Sequence, residues 1–226
     1  GISAAFDGTS QISTGDVLQA LPGTPPVLTV TFTKTGTFGY VCLFHPGMRG
    51  AVEVRAADAA LPETPAQAKT RGQVTLGAIK AQAQALPSTI HPVSAGSVRT
   101  ALAGAGNGNG ASVLAFINGN QTIRRGDTVI WTQADPFELH TVTFTSGGTP
   151  PALIEPRPQP AGPPLLVIPA SVAGPSGDAY AGTGIAHSGL LTYGNAWALR
   201  FDAPAGTYAY LCLLHPWMNG AITVSG

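Results

Sequence analysis

The sequence predicts an all-β protein built from β-sandwich domains with a helical connector. Three observations predict this fold class. The 226 residues include 29 Gly and 20 Pro, which favours turns and short strands over a helical bundle. Apolar and turn-forming segments alternate in the second half of the chain, as in a sandwich. A long motif occurs twice, which indicates two versions of one domain.

Charge and composition exclude several classes of protein. Eleven Lys and Arg balance eleven Asp and Glu, so there is no basic surface for nucleic acid. The chain is 44% hydrophobic and only 10% charged, which excludes disorder driven by charge. No apolar run approaches the roughly 20 residues of a membrane-spanning helix. We expect an exported protein (periplasmic, cell-surface or extracellular) from which any targeting peptide has been removed.

The repeated motif aligns without a gap. Residues 39–54 read GYVCLFHPGMRGAVEV, and residues 209–224 read AYLCLLHPWMNGAITV. Farther upstream, residues 6–9 align with residues 180–183 once a short gap is allowed. Chance is a poor explanation for agreement of this length, so we interpret the chain as holding two versions of one domain.

The two versions are unequal. The second is a complete domain over residues 97–226, whereas the first, residues 1–56, corresponds only to the C-terminal half of the domain. Half of a sandwich leaves sheet edges and apolar faces open. We therefore expect that the other half was cut off, belongs to a longer parent chain, or comes from another subunit, as in a homo-oligomer.

The connector, residues 57–96, is predicted to be partly helical. Thr64-Pro65 favours a helix start, and Leu86-Pro87 favours its end. Four apolar residues recur at helical spacing between them: Leu76, Ile79, Ala83 and Leu86. Within the second domain, the Pro-rich insertion at residues 147–175 is predicted to be a stiff surface excursion of polyproline character.

Each version of the repeat contains Cys-x-x-His-x-x-Met on a loop between two predicted strands. The two sets of residues are Cys42, His45 and Met48, and Cys212, His215 and Met218. Thiolate, imidazole and thioether donors together favour copper, and two His and one Cys with a weak axial Met are typical of a blue-copper site. The fourth ligand has to come from elsewhere, and His140 is the candidate in the second version.

Residues 126–132, GDTVIWT, and residues 140–144, HTVTF, resemble the cupredoxin family of blue type 1 copper proteins, such as plastocyanin, amicyanin and halocyanin. Residues 212–218, CLLHPWM, are similar to the short ligand loop of amicyanin, including the Pro after the His. The resemblance covers nearly all of residues 97–226, and residues 1–56 match the C-terminal half. It implies a Greek-key β-sandwich.

The resemblance also implies the ligands. In the second domain the copper ligands would be His140, Cys212, His215 and Met218. In the first domain only three transfer: Cys42, His45 and Met48. No His precedes His45, so a missing segment or another chain supplies the first imidazole, or the site is incomplete.

The function that the resemblance implies is the transfer of single electrons through type 1 copper. A redox partner protein would dock at an apolar patch near His215 and Trp217. Gly47 stands in the place of Trp217 in the first version, so we expect different partners or directions for the two sites. Thr141 is expected to hydrogen-bond across to the Cys loop and brace it.

Two other functions stay open. A two-domain multicopper enzyme resembling a laccase or nitrite reductase would need His-x-His motifs or a His directly after the Cys, and the sequence has neither. An electron carrier is therefore favoured over an enzyme, and Asp135 and Glu138 are interpreted as solvated loop charges, not as acid–base catalysts. The other alternative is a structural, assembling extracellular protein in which copper is incidental.

Some residues are expected to serve the fold alone. Trp131 and Phe144 are predicted core residues. His91, before a Pro, is interpreted as part of a turn, and His187 as a loop histidine. A disulfide between the two Cys is disfavoured, because they occupy equivalent positions in separate domains.

Overall fold

The structure is a computed structural model that describes residues 2–14, 28–43, 45, 48–89, 92–161 and 164–226. The chain divides into two compact units, Gly1–Gly72 and Gln73–Gly226. Among the described residues, no helix has both the length and the apolar character that crossing a membrane requires. His91 lies outside the described residues, so its interpretation as a turn stays a prediction.

The first unit contains two sheets of two strands each. β1 (Ile2–Phe6) pairs parallel with β2 (Leu28–Phe32), and β3 (Gly36–Val41) pairs antiparallel with β4 (Arg49–Val54). Three Phe rings join the two sheets, with ring centroids 5.1 to 5.9 Å apart: Phe6, Phe32 and Phe38. None of the described side chains in this unit is buried, so its described residues enclose no core.

The predicted connector helix is α1 (Pro65–Thr89). It begins at Pro65 as predicted, because Thr64 and Gln67 form a capping box. The Gln67 N–H donates to the Thr64 hydroxyl at 3.3 Å, and the Thr64 N–H donates to the Gln67 side chain at 2.8 Å. Three of the four predicted apolar residues are half-buried, whereas Leu76 is exposed.

The predicted helix end at Leu86-Pro87 is wrong, because α1 runs through Pro87 to Thr89. The last turn is closed by side chains. The Ser88 hydroxyl donates to the carbonyl of Ala85, and the Thr89 hydroxyl donates to that of Leu86. These bonds satisfy carbonyls that a helix end otherwise leaves without partners.

The second unit is a sandwich of two five-stranded sheets. Its elements are β5 (Val98–Gly106), β6 (Ser112–Ile117), β7 (Asn120–Arg124), β8 (Thr128–Ala134), β9 (Thr143–Phe144), β10 (Glu155–Arg157), β11 (Leu165–Val167), α2 (Ala170–Ala173), β12 (Ala179–Tyr180), β13 (Ala186–His187), β14 (Ala196–Phe201), β15 (Gly206–Leu211) and β16 (Asn219–Ser225). The strand orders are β12-β14-β8-β5-β6 and β13-β9-β15-β16-β7. The predicted all-β sandwich is confirmed.

The core of the second unit lies between these sheets. Burial alternates along β8, β14 and β16, so every second side chain points into the core. Trp131 and Phe144 are fully buried, as predicted. Two buried polar side chains of this core are paired: Trp131 Nε1 donates to the Tyr210 hydroxyl at 3.0 Å, and that hydroxyl donates to the Gly119 carbonyl at 2.7 Å.

The Pro-rich insertion is mostly exposed among its described residues. Its expected polyproline character does not hold for β10, β11 and α2, and it stays a prediction for the other residues. β10 and β11 pair antiparallel as a separate two-stranded sheet, and α2 adds one helical turn. Val172 of α2 is fully buried, so the insertion is anchored in the unit.

His187 is part of this anchor, and its interpretation as a loop histidine is wrong. It lies in β13 and is fully buried. Its Nδ1 is 2.7 Å from the Thr143 hydroxyl, and its Nε2 is 2.7 Å from the Val172 carbonyl. Because both ring nitrogens have partners, the imidazole can be buried at low cost while it is neutral.

Candidate metal centre

Both copies of the Cys-x-x-His-x-x-Met motif join two antiparallel strands in the same register. β15 and β16 pair along the whole of Gly206–Leu211, and β3 and β4 pair along the whole of Gly36–Val41. The Cys follows directly after the first strand of each pair, and the Met directly precedes the second strand. The repeat seen in the sequence is therefore also a repeat of strand pairing.

Two backbone hydrogen bonds close the loop. The Cys212 N–H donates to the Met218 carbonyl at 3.0 Å, and the Met218 N–H donates to the His215 carbonyl at 2.8 Å. The equivalent residues of the first copy make the same two bonds, both at 2.8 Å. This closure holds the three side chains of each motif on one short turn.

The second unit brings His140 to the loop. Cys212 Sγ lies 3.9 Å from His140 Nδ1 and 3.6 Å from His215 Nδ1. The ligand atoms of the three residues lie within 4.8 Å of one another, and all three side chains are buried. His140 is held ahead of β9 by two backbone hydrogen bonds with Leu191, at 3.2 and 2.8 Å. Met218, the fourth predicted ligand, is only 1% exposed.

The chemistry of these residues fits a soft metal ion. Burial, together with the charge that His215 can carry, lowers the pKa of His140 to about 4. Its imidazole is therefore neutral at pH 7, which is the form that binds a metal. His140 Nε2 is buried without a hydrogen-bond partner. Two imidazoles and one thiol in a buried pocket are donors that copper prefers.

Gly104 makes room for the His140 ring, and sequence analysis missed this residue. It lies at a register shift in β5 with a φ of +82°, and a Cβ built there would collide with His140 Nε2. The signal in the sequence was a glycine inside an apolar strand, which indicates a bulge or a close approach. Several glycines surround it in the sequence, so the pattern alone does not single it out.

Thr141 braces the loop from the side of His140. Its N–H donates to Cys212 Sγ at 3.4 Å, and its hydroxyl accepts a hydrogen bond from the Leu213 N–H at 2.8 Å. The first bond places an N–H donor beside the sulfur of Cys212. The predicted hydrogen bond from Thr141 to the Cys loop is confirmed.

The interpretation of Asp135 as a solvated loop charge is wrong. Asp135 is fully buried, and its Oδ1 accepts hydrogen bonds from the N–H groups of Phe137 at 2.9 Å and Glu138 at 3.3 Å. The Gln133 amide donates to the carbonyls of Asp135 and Glu138. Such Asx turns fix the backbone locally, here in the loop that leads to the first His of the cluster.

His215 lies where the cluster approaches the surface. It is 9% exposed, and its ring centroid is 5.4 Å from that of Trp217, which is 66% exposed. Glu138 is half-buried, with its Oε2 3.7 Å from His215 Nε2. An aromatic ring and a carboxylate therefore flank the edge of this imidazole.

The first copy brings together fewer donors. Cys42 Sγ is 3.3 Å from His45 Nδ1. Met48 is 64% exposed, and among the described residues no third His, Cys, Asp or Glu completes a cluster around this pair. Gly47 lies outside the described residues, so the expectation of different partners or directions for the two sites stays a prediction.

No family model matches the chain, and no curated protein matches it. Among solved structures, the chain is similar to a methionine-to-alanine variant of amicyanin in its Cu(I) form, at 20% identity over 59% of this chain and 91% of that one, with a TM-score of 0.35. Amicyanin from Paracoccus versutus matches at 18% identity over 60% and 92%, with a TM-score of 0.36. A purple cupredoxin from Nitrosopumilus maritimus matches at 21% identity over 56% and 98%, with a TM-score of 0.32.

These solved structures are cupredoxins, the family that the sequence resembles. The second unit has the β-sandwich that this resemblance implies. Likenesses of this strength concern the fold alone.

Proposed function

We propose that this protein carries single electrons through one type 1 copper ion bound in the second unit. The ligands would be His140, Cys212, His215 and Met218. The observation that carries this proposal is the buried cluster of two imidazoles and one thiol within 4.8 Å. The set combines donors that suit copper with burial that excludes water.

Copper held by such a set changes between Cu(I) and Cu(II) by the transfer of one electron. The protein keeps the donors in place. Cys212 and Met218 directly flank the paired strands β15 and β16, and the backbone bonds of the loop tie them to His215. Thr141 holds the sulfur and the backbone beyond it. Rigid donors need little rearrangement between oxidation states, which favours fast electron transfer.

A carrier is favoured over a multicopper enzyme because the described histidines are already committed. His140 and His215 belong to the cluster, and His45 lies beside Cys42. His187 has partners at both ring nitrogens, so it is a poor ligand for a catalytic copper.

The edge formed by His215 and Trp217 is the docking surface in this proposal. The exposed indole offers apolar contact area next to a ligand whose ring reaches the surface. Glu138 adds a carboxylate at the same edge, which favours a partner with a basic rim. We also propose that the protein is exported, which its low content of charged residues supports.

The function is tested by an anaerobic redox titration of the copper-loaded protein. We expect an intense visible band that bleaches with one electron per chain and returns on oxidation. Cys212→Ser should load without this band, because the sulfur–copper bond produces it. A band that needs more than one electron per chain, or that is absent from the loaded wild-type protein, would contradict the proposal.

A further inference from the structure

The first unit exposes side chains whose equivalents form the core of the second unit. Tyr40 is 61% exposed, Met48 is 64% exposed, and Val52 is 36% exposed. The equivalent residues are at most 1% exposed: Tyr210, Met218 and Ile222. An apolar face that one copy buries is therefore open in the other.

The open face belongs to a correctly formed half-sandwich. β1 and β2 pair parallel, as β12 and β14 do. The rings of Phe6 and Phe32 are 5.9 Å apart at 80°, and those of the equivalent Tyr180 and Phe201 are 5.9 Å apart at 84°. The described part of the first unit thus has the strand pairing and packing of the second, without the strands that complete it.

The second unit shows what covers this face. β8, β9 and β7 pair with β14, β15 and β16, and all three covering strands lie within residues 98–144. We call residues 98–144 the covering segment. Their equivalents β2, β3 and β4 pair with no such strands among the described residues. The covering segment also carries His140, the imidazole that the first copy lacks.

Further copies of residues 1–226 cannot supply the cover in full. The described residues contain two acceptor halves and one covering segment, and that segment is already packed into the second unit. Exchange between copies would therefore leave half of the acceptors open in an assembly of any size. The occupant has to be a polypeptide outside residues 1–226.

We propose that the first unit binds a polypeptide segment of the covering type, by strand addition. That segment pairs with the free edges of β2, β3 and β4 and covers Tyr40, Met48 and Val52 with alternating apolar residues. It carries one histidine that reaches Cys42 and His45. The strand pairing stands without the copper proposal, and only the role of this histidine rests on it.

The test uses residues 97–146 of this chain as a probe, because they include the whole covering segment. The fragment is added to the full chain, and mass spectrometry follows alkylation of Cys42, with the fully buried Cys212 as an internal reference. We expect one fragment bound per chain by light scattering. Alkylation of Cys42 should slow roughly tenfold or more, because a thiol enclosed by strands reacts only after local opening.

A matched pair of variants identifies the surface. Tyr40→Lys places a charge on the open face and should abolish binding of the fragment. Tyr193→Lys alters a tyrosine of similar exposure, 65% against 61%, in the second unit and should leave binding intact. Equal binding by both variants would contradict strand addition at this face.

A fusion removes the dependence on a soluble fragment. Residues 97–146 are repeated ahead of Gly1 through a flexible Gly/Ser linker, and the fused chain should protect Cys42 and hold a second copper. His140→Ala in the repeated segment alone should keep the protection and lose the second copper, which separates this proposal from the copper proposal. Unprotected Cys42 in both formats would overturn the proposal, as would a wild-type chain that is already a dimer with Cys42 protected.

Discussion

Gly104 lies against the imidazole of His140. A substitution that adds a Cβ at this position, compared with a matched control, tests whether Gly104 makes room for the ring. Gly104→Ala should push the ring away from Cys212 and weaken binding of Cu(II) or Co(II) by about ten- to a hundredfold, as loss of a ligand's support does. Gly108→Ala has a similar positive φ, +74° against +82°, but its Cβ meets nothing within 4 Å.

Metal titration and chemical denaturation of both variants separate the strain of the left-handed backbone from the displacement of the His140 ring. Both should lose about 1–2 kcal/mol of stability from the left-handed backbone. Only Gly104→Ala should lose metal affinity. Equal affinities would show that Gly104 does not position His140.

Thr141 joins the two parts of the chain that form the cluster. Thr141→Ala leaves the part-buried Leu213 N–H without its acceptor, so the free energy of unfolding should fall by about 1 kcal/mol. Thr141→Ser keeps a hydroxyl and should recover most of this loss. Urea unfolding of the metal-free protein measures the difference, and a Ser variant as unstable as the Ala variant would contradict a role for the hydroxyl.

At this scale the sequence predicts the donors better than their surroundings. Spacing placed Cys212, His215 and Met218 on one loop, and a His at the start of a strand pointed to His140. Three of these side chains cluster in the structure. Gly104 and the buried Asp135 were not predicted, because their roles depend on a register shift and an Asx turn that tertiary contacts select.

At the scale of elements, His187 ties β13 to α2. Burial lowers the pKa of His187, outweighing the hydrogen bond to the Val172 carbonyl. The unfolded chain takes up a proton below a pH of about 6.5, whereas the folded chain resists it to lower pH. The contribution of His187 to the free energy of unfolding should therefore be constant above this pH and should fall as the pH decreases below it.

Replacement of the imidazole measures its share of this dependence. His187→Gln should reduce the fall in stability between about pH 7 and pH 5, because glutamine does not titrate. His140 titrates in the metal-free protein as well, so the difference between wild type and variant isolates His187. Identical pH profiles of urea unfolding would contradict this role.

The loop between β15 and β16 carries the proposed docking surface. Trp217→Gly should lower the second-order rate of electron exchange with a protein partner and leave the visible spectrum unchanged, because no proposed ligand is altered. Leu165→Gly, which removes a 53% exposed side chain from β11, should leave the rate unchanged. Stopped-flow kinetics measure both, and an unchanged rate in Trp217→Gly would exclude docking there.

Elements with strong local sequence signals were predicted, whereas strands that depend on pairing with another strand were not. The Thr64-Pro65 pair predicted the start of α1, and the alternation of apolar with turn-forming segments predicted the strands near Trp131 and Phe144. The pairing of β10 with β11 was missed because the proline content of residues 147–175 favoured polyproline structure, and Pro156 itself lies in β10. A two-stranded sheet tolerates it, since a Pro can lie where the N–H would face solvent.

For the whole molecule, the repeat in the sequence corresponds to a repeat of structure. Strand register, loop closure and aromatic packing recur in both copies, but in the part of the chain that the structure describes only the second copy encloses a core. The sequence predicted that the first copy corresponds to only half of a domain. The exposed face and the strand edges where the other half would pair were seen only in the structure. The division into residues 1–56, 57–96 and 97–226 stays a prediction; the division between the compact units falls inside α1.

The account as a whole depends on where copper binds, and a titration with Cu(II) followed by visible and electron-spin resonance spectra measures this directly. Wild type, Cys42→Ser and Cys212→Ser are compared as full chains. We predict one blue centre per chain in wild type, the same centre in Cys42→Ser, and none in Cys212→Ser. A blue centre that survives in Cys212→Ser, or that disappears in Cys42→Ser, would contradict the account.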